Sequence, residues 1–155
     1  MKKLSILVLA IVLALTVTGC TGIGKVQTKT CSMGNVNGID RTFTFSATNG
    51  EVDKVELKMI FSNSLFGVDS LSTLSDSQKE TVKSSILKNL GLEKDSYEGL
   101  EIIVDIKDQM TIVVKADLAK ADPAILKKIG MDLTGADMSF DRAISDMEKA
   151  GATCK

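Results

Sequence analysis

The first twenty residues constrain this chain more than any other stretch. Lys2 and Lys3 precede an uncharged apolar run over residues 4–17, which leads into Val17-Thr18-Gly19-Cys20. A positive start, an apolar middle of about 7 to 15 residues and small residues before a cleavage point make up a secretory signal. We therefore predict a signal peptide over residues 1–19. A retained transmembrane helix is the weaker alternative, because a span needs roughly 20 apolar residues to cross a ~30 Å hydrocarbon core.

The four residues that end this signal separate a lipoprotein from an ordinary secreted protein. Their order, aliphatic, small or β-branched, small and then cysteine, looks like the bacterial lipobox. Small Thr18 and Gly19 would let the extended backbone enter a narrow peptidase site, and the Cys20 thiol would accept diacylglycerol. The alternative is a cysteine that falls at this position by chance.

Lipid on Cys20 would decide where the protein resides. Each buried CH₂ of an acyl chain contributes about 0.8 kcal/mol and a single chain anchors only marginally, so two or three chains such as palmitate would hold the protein almost permanently. We expect diacylglycerol and an N-acyl chain on Cys20. The anchor would lie in the outer leaflet of the plasma membrane, or in the outer membrane of an organism that has one.

The length after cleavage suits one domain. Removing residues 1–19 from the 155 leaves 136 residues, of which we assign 20–24 to the lipidated tether and 25–155 to a single domain. The formal charge changes from −1 to −3 when Lys2 and Lys3 are lost, and no basic stripe remains. Nucleic acid is therefore not an expected partner, and we expect a monomer.

Two cysteines remain once Cys20 is acylated. Cys31 and Cys154 form an even pair in a chain predicted to be exported, where oxidation is the default. Their disulfide would close nearly the whole domain and stabilise it by around 4 to 5 kcal/mol on the chain-entropy model. The alternative is two free thiols, as in weakly oxidising lineages.

Alternating apolar and polar residues predict the strands. An edge strand is expected over residues 25–33, and a hairpin over residues 39–61 turns at Asn49-Gly50. A second hairpin, over residues 100–118, turns at Asp108-Gln109. Residues 62–74 are expected to form an irregular connection between the first hairpin and a helix.

The first hairpin has two possible registers. A two-residue turn at Asn49-Gly50 would place Phe45 opposite Lys54, and apolar and charged side chains would share a face. A three-residue loop with a left-handed glycine in a bulge pairs Phe43 with Val55 and keeps one face apolar. We therefore predict the three-residue loop.

Capping residues and apolar spacing predict three helices. Ser75 or Ser77 could cap the first, and Ser77 with Glu80 matches a capping box. Asp122-Pro123 begins a short helix that ends before Gly130. The last helix spans about residues 139–150. These elements predict an α+β fold in two layers: a mostly antiparallel sheet of two hairpins plus edge strands, with about three helices packed on one face.

The order of these features resembles the YehR-like family of small bacterial lipoproteins. The features are the lipobox cysteine, a Cys-led segment that ends in a Phe-containing hairpin, a Ser-capped helix, the strand Thr111-Ile112-Val113-Val114 leading to Leu118, and an amphipathic helix before Ala150-Gly151-Ala152-Thr153-Cys154. The resemblance spans nearly the whole mature chain. It implies an α+β envelope lipoprotein of unknown function, and it brings no catalytic residues.

Few residues suggest catalysis or metal binding. The absence of histidine excludes His ligands and His general bases. Ser85 and Lys88 match Ser-x-x-Lys, but no Lys-Thr-Gly accompanies them. Four acidic residues lack the spacing of a calcium loop, and six mature methionines suit core filling better than soft-metal binding. The acidic residues are Asp132, Asp137, Asp141 and Asp146, and the methionines are Met33, Met59, Met110, Met131, Met138 and Met147.

The sequence therefore predicts a non-enzymatic, lipid-anchored envelope module with no cofactor or metal. We expect it to bind an envelope protein, a cell-wall polymer or a small ligand through the face of its sheet or through residues 62–74. A small envelope hydrolase that uses Ser or Asp chemistry is one alternative. A purely structural or stress-related lipoprotein is another.

Overall fold

A computed structural model describes residues 24–129 and 139–155 of the chain, and all structural statements refer to these residues. They form strands, α-helices and two short 3₁₀ helices over Asn63–Phe66 and Leu71–Thr73. The strands are β1 (Val26–Val36), β2 (Ile39–Thr48), β3 (Glu51–Phe61), β4 (Ser96–Tyr97), β5 (Leu100–Ile106), β6 (Met110–Asp117) and β7 (Thr153–Cys154). The α-helices are α1 (Asp76–Asn89), α2 (Pro123–Lys128) and α3 (Phe140–Lys149). The predicted α+β class is confirmed.

The described strands form one antiparallel sheet of seven strands in the order β4-β5-β6-β3-β2-β1-β7. Both predicted hairpins are present, as β2–β3 and β5–β6. β1 and β2 form a further hairpin, so β1, β2 and β3 make a meander. β7 pairs with β1, which is therefore not the edge strand that the sequence suggested.

Two Asn-Gly pairs make the turns of the meander. Asn37 and Gly38 have φ values of 53° and 81°, and Asn49 and Gly50 have φ values of 57° and 87°. Two-residue hairpin turns of type I′ need positive φ at both central positions, which asparagine and glycine tolerate best. The meander is therefore favoured by local sequence.

The predicted register of the β2–β3 hairpin is wrong. The turn has two residues rather than three, and Phe43 lies opposite Leu57 instead of Val55. The apolar face is nevertheless continuous, because the register shifts one step further along, and Phe45 lies opposite Val55. An extra residue is present, as the sequence suggested, but it lies within β3 and not in the turn.

The extra residue is Asp53, which forms a bulge in β3 opposite the Ser46–Ala47 step of β2. The Thr48 hydroxyl donates a 2.6 Å hydrogen bond to the Asp53 carboxylate. The Asp53 carbonyl accepts a 2.8 Å bond from the backbone N–H of Leu118. The bulge thus absorbs the register shift and ties β3 to the end of β6.

All three described helices place apolar side chains against the same face of the sheet. One cluster joins β5 and β6 to side chains such as Leu87 of α1 and Leu126 of α2. A second cluster joins β1, β2 and β3 to Phe140 and Ile144 of α3. Leu118 packs against both clusters. The strand residues involved share one face by register, so the two clusters form adjacent parts of one core.

Capping defines the start of each helix differently. The predicted capping box at Ser77 and Glu80 is wrong, since Ser75 caps α1 and Gln78 completes the box. The Asp122 side chain accepts a hydrogen bond from the Ala124 N–H at the start of α2, as the sequence predicted. α3 begins after Ser139, whose side chain makes no capping hydrogen bond.

The disulfide connects the two ends of the described chain. Cys31 of β1 and Cys154 of β7 face each other in register, and their sulfur atoms are 2.03 Å apart. Cys31 is fully buried among the α3 cluster. The bridge therefore joins the first strand to the last, between the same two residues that the sequence pairs.

The predicted signal peptide, Cys20 and most of the tether over 20–24 lie outside the described residues, as does Gly130. None of the described helices is both long and apolar enough to cross a membrane.

Candidate functional site

The face of the sheet opposite the helices, which we call the open face, carries mainly hydroxyl and charged side chains, with Ile60, Ile103 and Val113 as apolar exceptions. On β1 and β2, Thr28 and Ser46 are hydrogen-bonded at 3.3 Å, and Thr30 and Thr44 at 3.1 Å. Strands β3, β5 and β6 continue the face with lysine and acidic residues, because alternate residues of a strand point to the same side. The result is a polar surface with no apolar centre on β1 and β2.

A shallow concavity of about 430 Å³ lies on the open face. The Lys115 ammonium forms a 3.3 Å ion pair with Glu101 of the neighbouring strand. The Tyr97 hydroxyl accepts hydrogen bonds from the backbone N–H groups of Glu93 at 2.9 Å and Lys94 at 3.3 Å, which fixes the ring at one side. The remaining polar side chains in the lining are Thr44, Ser46, Lys54, Glu56, Ser96 and Asp117.

This concavity is suited to contacts with polar groups. It offers ammonium, carboxylate and hydroxyl groups at short range, and these can donate or accept hydrogen bonds to a polar ligand. Among its described side chains, no serine or tyrosine hydroxyl is hydrogen-bonded to a lysine or a carboxylate that could activate it.

The Ser-x-x-Lys motif is not assembled for catalysis in the described chain. Ser85 and Lys88 are exposed on α1 and line a shallow depression of about 410 Å³. The Ser85 hydroxyl donates a 2.8 Å hydrogen bond to the backbone carbonyl of Thr81, and it makes none to Lys88. A lysine that activates a serine must reach its hydroxyl, so this geometry does not match the motif.

Two of the four acidic residues near the C-terminus lie in the described part of the chain. Asp132 and Asp137 lie outside the described residues, whereas Asp141 and Asp146 are exposed on α3. The hydrogen bond from Lys149, at 3.0 Å, and its positive charge hold the pKa of the Asp146 carboxyl below its usual value. In residues 24–129 and 139–155, no three His, Cys, Asp or Glu residues come close enough to hold a metal ion.

The described methionines pack in the core, as predicted. Met110 is buried, Met59 packs against the β5–β6 cluster, and Met33 and Met147 pack against the α3 cluster. Met131 and Met138 lie outside the described residues. An apolar cavity of about 290 Å³ lies between the helices and the sheet, lined by residues that include Met59, Met110 and Leu90.

Residues 62–74 carry the feature that sequence reasoning missed. Leu65, Phe66 and Val68 are exposed, although each is a large apolar residue. They follow β3, at the end of the sheet where the β1–β2 turn also places Val36. The run Leu65-Phe66-Gly67-Val68 was the available signal, because it has neither a helical nor a strand period that would bury it.

The fold defines the class of this protein. In the residues described it is an α+β protein with a seven-stranded antiparallel sheet, in which a disulfide joins β1 to β7. No protein-family model matches the chain, and no curated protein matches it either.

Two solved structures have a similar fold. The NMR structure of the YehR protein of E. coli has a TM-score of 0.62 at 18% identity, with 84% of this chain and 91% of that chain covered. The NMR structure of a protein from Streptococcus pneumoniae TIGR4 has a TM-score of 0.53 at 15% identity, with 100% of this chain and 98% of that chain covered. These similarities support a YehR-like fold. At such identities they show the fold alone.

Proposed function

We propose that this protein is a lipid-anchored module of the bacterial cell envelope that binds a partner and catalyses no reaction. Signal cleavage before Cys20 would leave that cysteine at the mature N-terminus, acylated with diacylglycerol and an N-acyl chain. Residues 20–24 would tether the domain to the membrane, and β1 begins two residues later, at Val26.

The observation that carries this proposal is the bridge between Cys31 and Cys154. The sequence has three cysteines, so the bridge leaves Cys20 as the one thiol available for lipid. Disulfides persist in oxidising compartments outside the cytoplasm, which is where a lipobox would send the chain. The predicted signal peptide and the disulfide are independent features, and both support export.

The binding role rests on surfaces that remain accessible in the described chain. The open face and the exposed apolar residues of the 62–74 segment both present side chains that the fold does not bury. Contiguous exposed apolar patches mark interaction sites on many proteins, which supports the 62–74 segment in particular.

A labelling experiment tests the anchor. Cells that express the protein are grown with radiolabelled palmitate, and the wild type is compared with Cys20→Ser and with the Cys31→Ala/Cys154→Ala double variant. We expect label in the membrane-bound wild type and in the double variant, and none in Cys20→Ser. Label that persists in Cys20→Ser, or unlabelled wild type in the cytosol, would contradict the proposal.

An envelope hydrolase is the second candidate. The concavity beside Tyr97 and Lys115 is the observation that favours it, because this concavity gathers charged groups on an accessible surface. Activity against ester or peptidoglycan substrates that disappears in Lys115→Met would support this candidate. A purely structural or stress-related role would instead predict a deletion phenotype that no ligand affects.

A further inference from the structure

We propose that the four exposed apolar residues at one end of the sheet form a docking surface for a protein segment whose apolar residues are flanked by lysine or arginine. These residues are Val36, Leu65, Phe66 and Val68, and we call them the apex. The proposal deepens the binding role and rests on it, since it names a surface and the chemistry of the partner.

The apex concentrates the exposed apolar residues of the described chain. Val36, Leu65, Phe66 and Val68 are 40%, 48%, 42% and 43% exposed, and only two other large apolar residues, Val26 and Ile103, are comparably exposed in residues 24–129 and 139–155. Scattered single residues of this kind are normal on protein surfaces, but a contiguous group is more often an interaction site. Three of the four lie within four consecutive residues of one loop.

Local contacts hold the loop in shape. The Ser62 N–H donates a 2.8 Å hydrogen bond to the Gly38 carbonyl, and the Asn63 side-chain amide donates a 2.8 Å bond to the Asp69 carbonyl. Leu65 packs so closely on Gly38 that a Cβ there would lie 3.0 Å from its Cγ. The apolar side chains are thus presented by an ordered loop. A partner would lose little affinity to ordering it.

The apex lies at the end of the sheet that is farthest from the predicted anchor. The N–H of Lys25, just before β1, bonds to Asn49 in the β2–β3 turn, which marks the anchor end. β1 then runs 11 residues to Val36, or about 36 Å at roughly 3.3 Å per residue. If Cys20 is anchored as proposed, a surface at that distance would lie away from the membrane that holds the lipid. It is therefore available to another envelope protein.

The charges around the apex define the partner. Asp40, Asp69 and Asp108 are exposed at this end, and none forms an ion pair with another described residue. Arg41 follows Asp40 on β2 and is half-buried, so with this one positive charge against the three negative ones the end stays net acidic. The nearby Lys107 is paired with Asp105 at 2.8 Å and does not offset them. An apolar centre with an acidic rim is complementary to apolar residues flanked by basic ones. The same rim is repelled by an anionic lipid surface, which favours a protein partner over a second membrane.

A peptide-binding experiment tests the apex. The protein, processed by the cell and reconstituted in phosphatidylcholine nanodiscs, is titrated into a fluorescent amphipathic peptide of leucine and lysine, and anisotropy is measured against empty nanodiscs. We expect saturable binding that Phe66→Ser weakens at least tenfold and Asp69→Lys weakens several-fold. A matched peptide of leucine and glutamate should not bind.

Two variants with equivalent changes elsewhere serve as controls. Val26→Ser alters a 64% exposed apolar residue at the anchor end. Glu148→Lys reverses the charge of an exposed side chain on α3. Both should bind the peptide within twofold of the wild type. Absence of binding, equal weakening by all four variants, or Phe66-dependent binding to phosphatidylglycerol vesicles in place of the peptide would overturn the proposal. None of these outcomes would affect palmitate labelling. The proposal for the apex and the proposal for the lipid anchor can therefore be disproved independently.

Discussion

Gly99 shows how a single residue fixes the packing of this fold. It has φ of +70° in the β4–β5 turn, and a Cβ there would overlap the backbone nitrogen of Ala121 and lie 2.7 Å from the Lys120 carbonyl carbon. Its own carbonyl accepts a 2.7 Å bond from the Asp117 N–H. The space is occupied by the backbone of Lys120 and Ala121 and not by a flexible side chain. A Cβ at position 99 would therefore force this backbone to shift.

We predict that Gly99→Ala lowers the free energy of unfolding by about 3 kcal/mol, from the left-handed backbone and the steric overlap together. Gly34→Ala is the matched control, because Gly34 has φ of +64° with no atom within 4 Å of the added carbon. The control should lose about 1 kcal/mol. Chemical denaturation measures both, and equal losses would contradict the proposed packing at Gly99.

The Lys83–Asp95 pair predicts a pH dependence with a definite sign. The Lys83 ammonium lies 2.7 Å from the Asp95 carboxylate, and this hydrogen bond holds the pKa of Asp95 below its usual value. The unfolded chain then binds the proton at higher pH than the folded chain. The stabilisation is therefore present above the ordinary aspartate pKa and is lost as the pH falls through the lowered one.

Carboxyl NMR titration tests this pair directly. Lys83→Met should move the Asp95 titration midpoint upward toward the ordinary value of 3.8. Lys88→Met, which removes an exposed lysine from the same helix, should leave that midpoint unchanged. An Asp95 midpoint that is the same in all three proteins would show that the Lys83 contact does not persist in solution.

The start of α1 distinguishes between the two serines that could cap this helix, Ser75 and Ser77. The Ser75 hydroxyl accepts a 3.3 Å bond from the Gln78 N–H, and the Gln78 side chain accepts a 2.8 Å bond from the Ser75 N–H. Ser75→Ala should cost about 1 kcal/mol of unfolding free energy. Ser77→Ala should change it by less than about 0.5 kcal/mol, since alanine favours helix interiors. Thermal denaturation measures both variants. A larger loss of stability in Ser77→Ala than in Ser75→Ala would show that Ser77 is the N-cap.

The bulge at Asp53 predicts where the chain tolerates a deletion. Removing Asp53 would leave Phe45 opposite Val55 and Phe43 opposite Leu57, because the deleted residue has no partner in β2. This deletion should fold and preserve contacts between Phe43 and Leu57, seen as NMR cross-peaks. Removing Lys58, from the middle of the same strand, reverses the faces on one side of the break and should abolish cooperative unfolding. A folded Lys58 deletion would contradict this register.

The pattern of residues predicted the elements better than their details. Period-two alternation in β2, β3, β5 and β6 predicted both hairpins, since a half-buried strand leaves that pattern. β4 and β7 have two residues each, too few to show any period. The register failed because a bulge can replace a longer turn at the same residue count, and the sequence does not distinguish them.

The candidate sites were predictable to a similar extent. The polar open face follows from the alternation of threonine, lysine and glutamate in the strands. The segment 62–74 was correctly expected to be irregular, but its exposed apolar residues depend on how the loop packs on Gly38. A contact between distant parts of the chain leaves no local pattern to read.

The proposed anchor, the disulfide and the apex follow one another along β1. The lipid and tether would lie at the start of β1, the bridge between Cys31 and Cys154 would protect the edge of that strand, and the apex would face outward. The bridge spans 123 residues of sequence, so the ends of the domain stay together if the middle opens transiently. A tether of this length would keep the binding surface within a limited distance of the membrane.

In the proposed mature protein, Cys20 bears the lipid while the other two cysteines are oxidised. Intact-mass spectrometry of the protein purified from membranes, with and without reduction and alkylation, measures both at once. We expect the mass of residues 20–155 plus diacylglycerol and an N-acyl chain, with two alkyl groups added only after reduction. The mass of the unprocessed chain of 155 residues, with three thiols alkylated before reduction, would contradict the account.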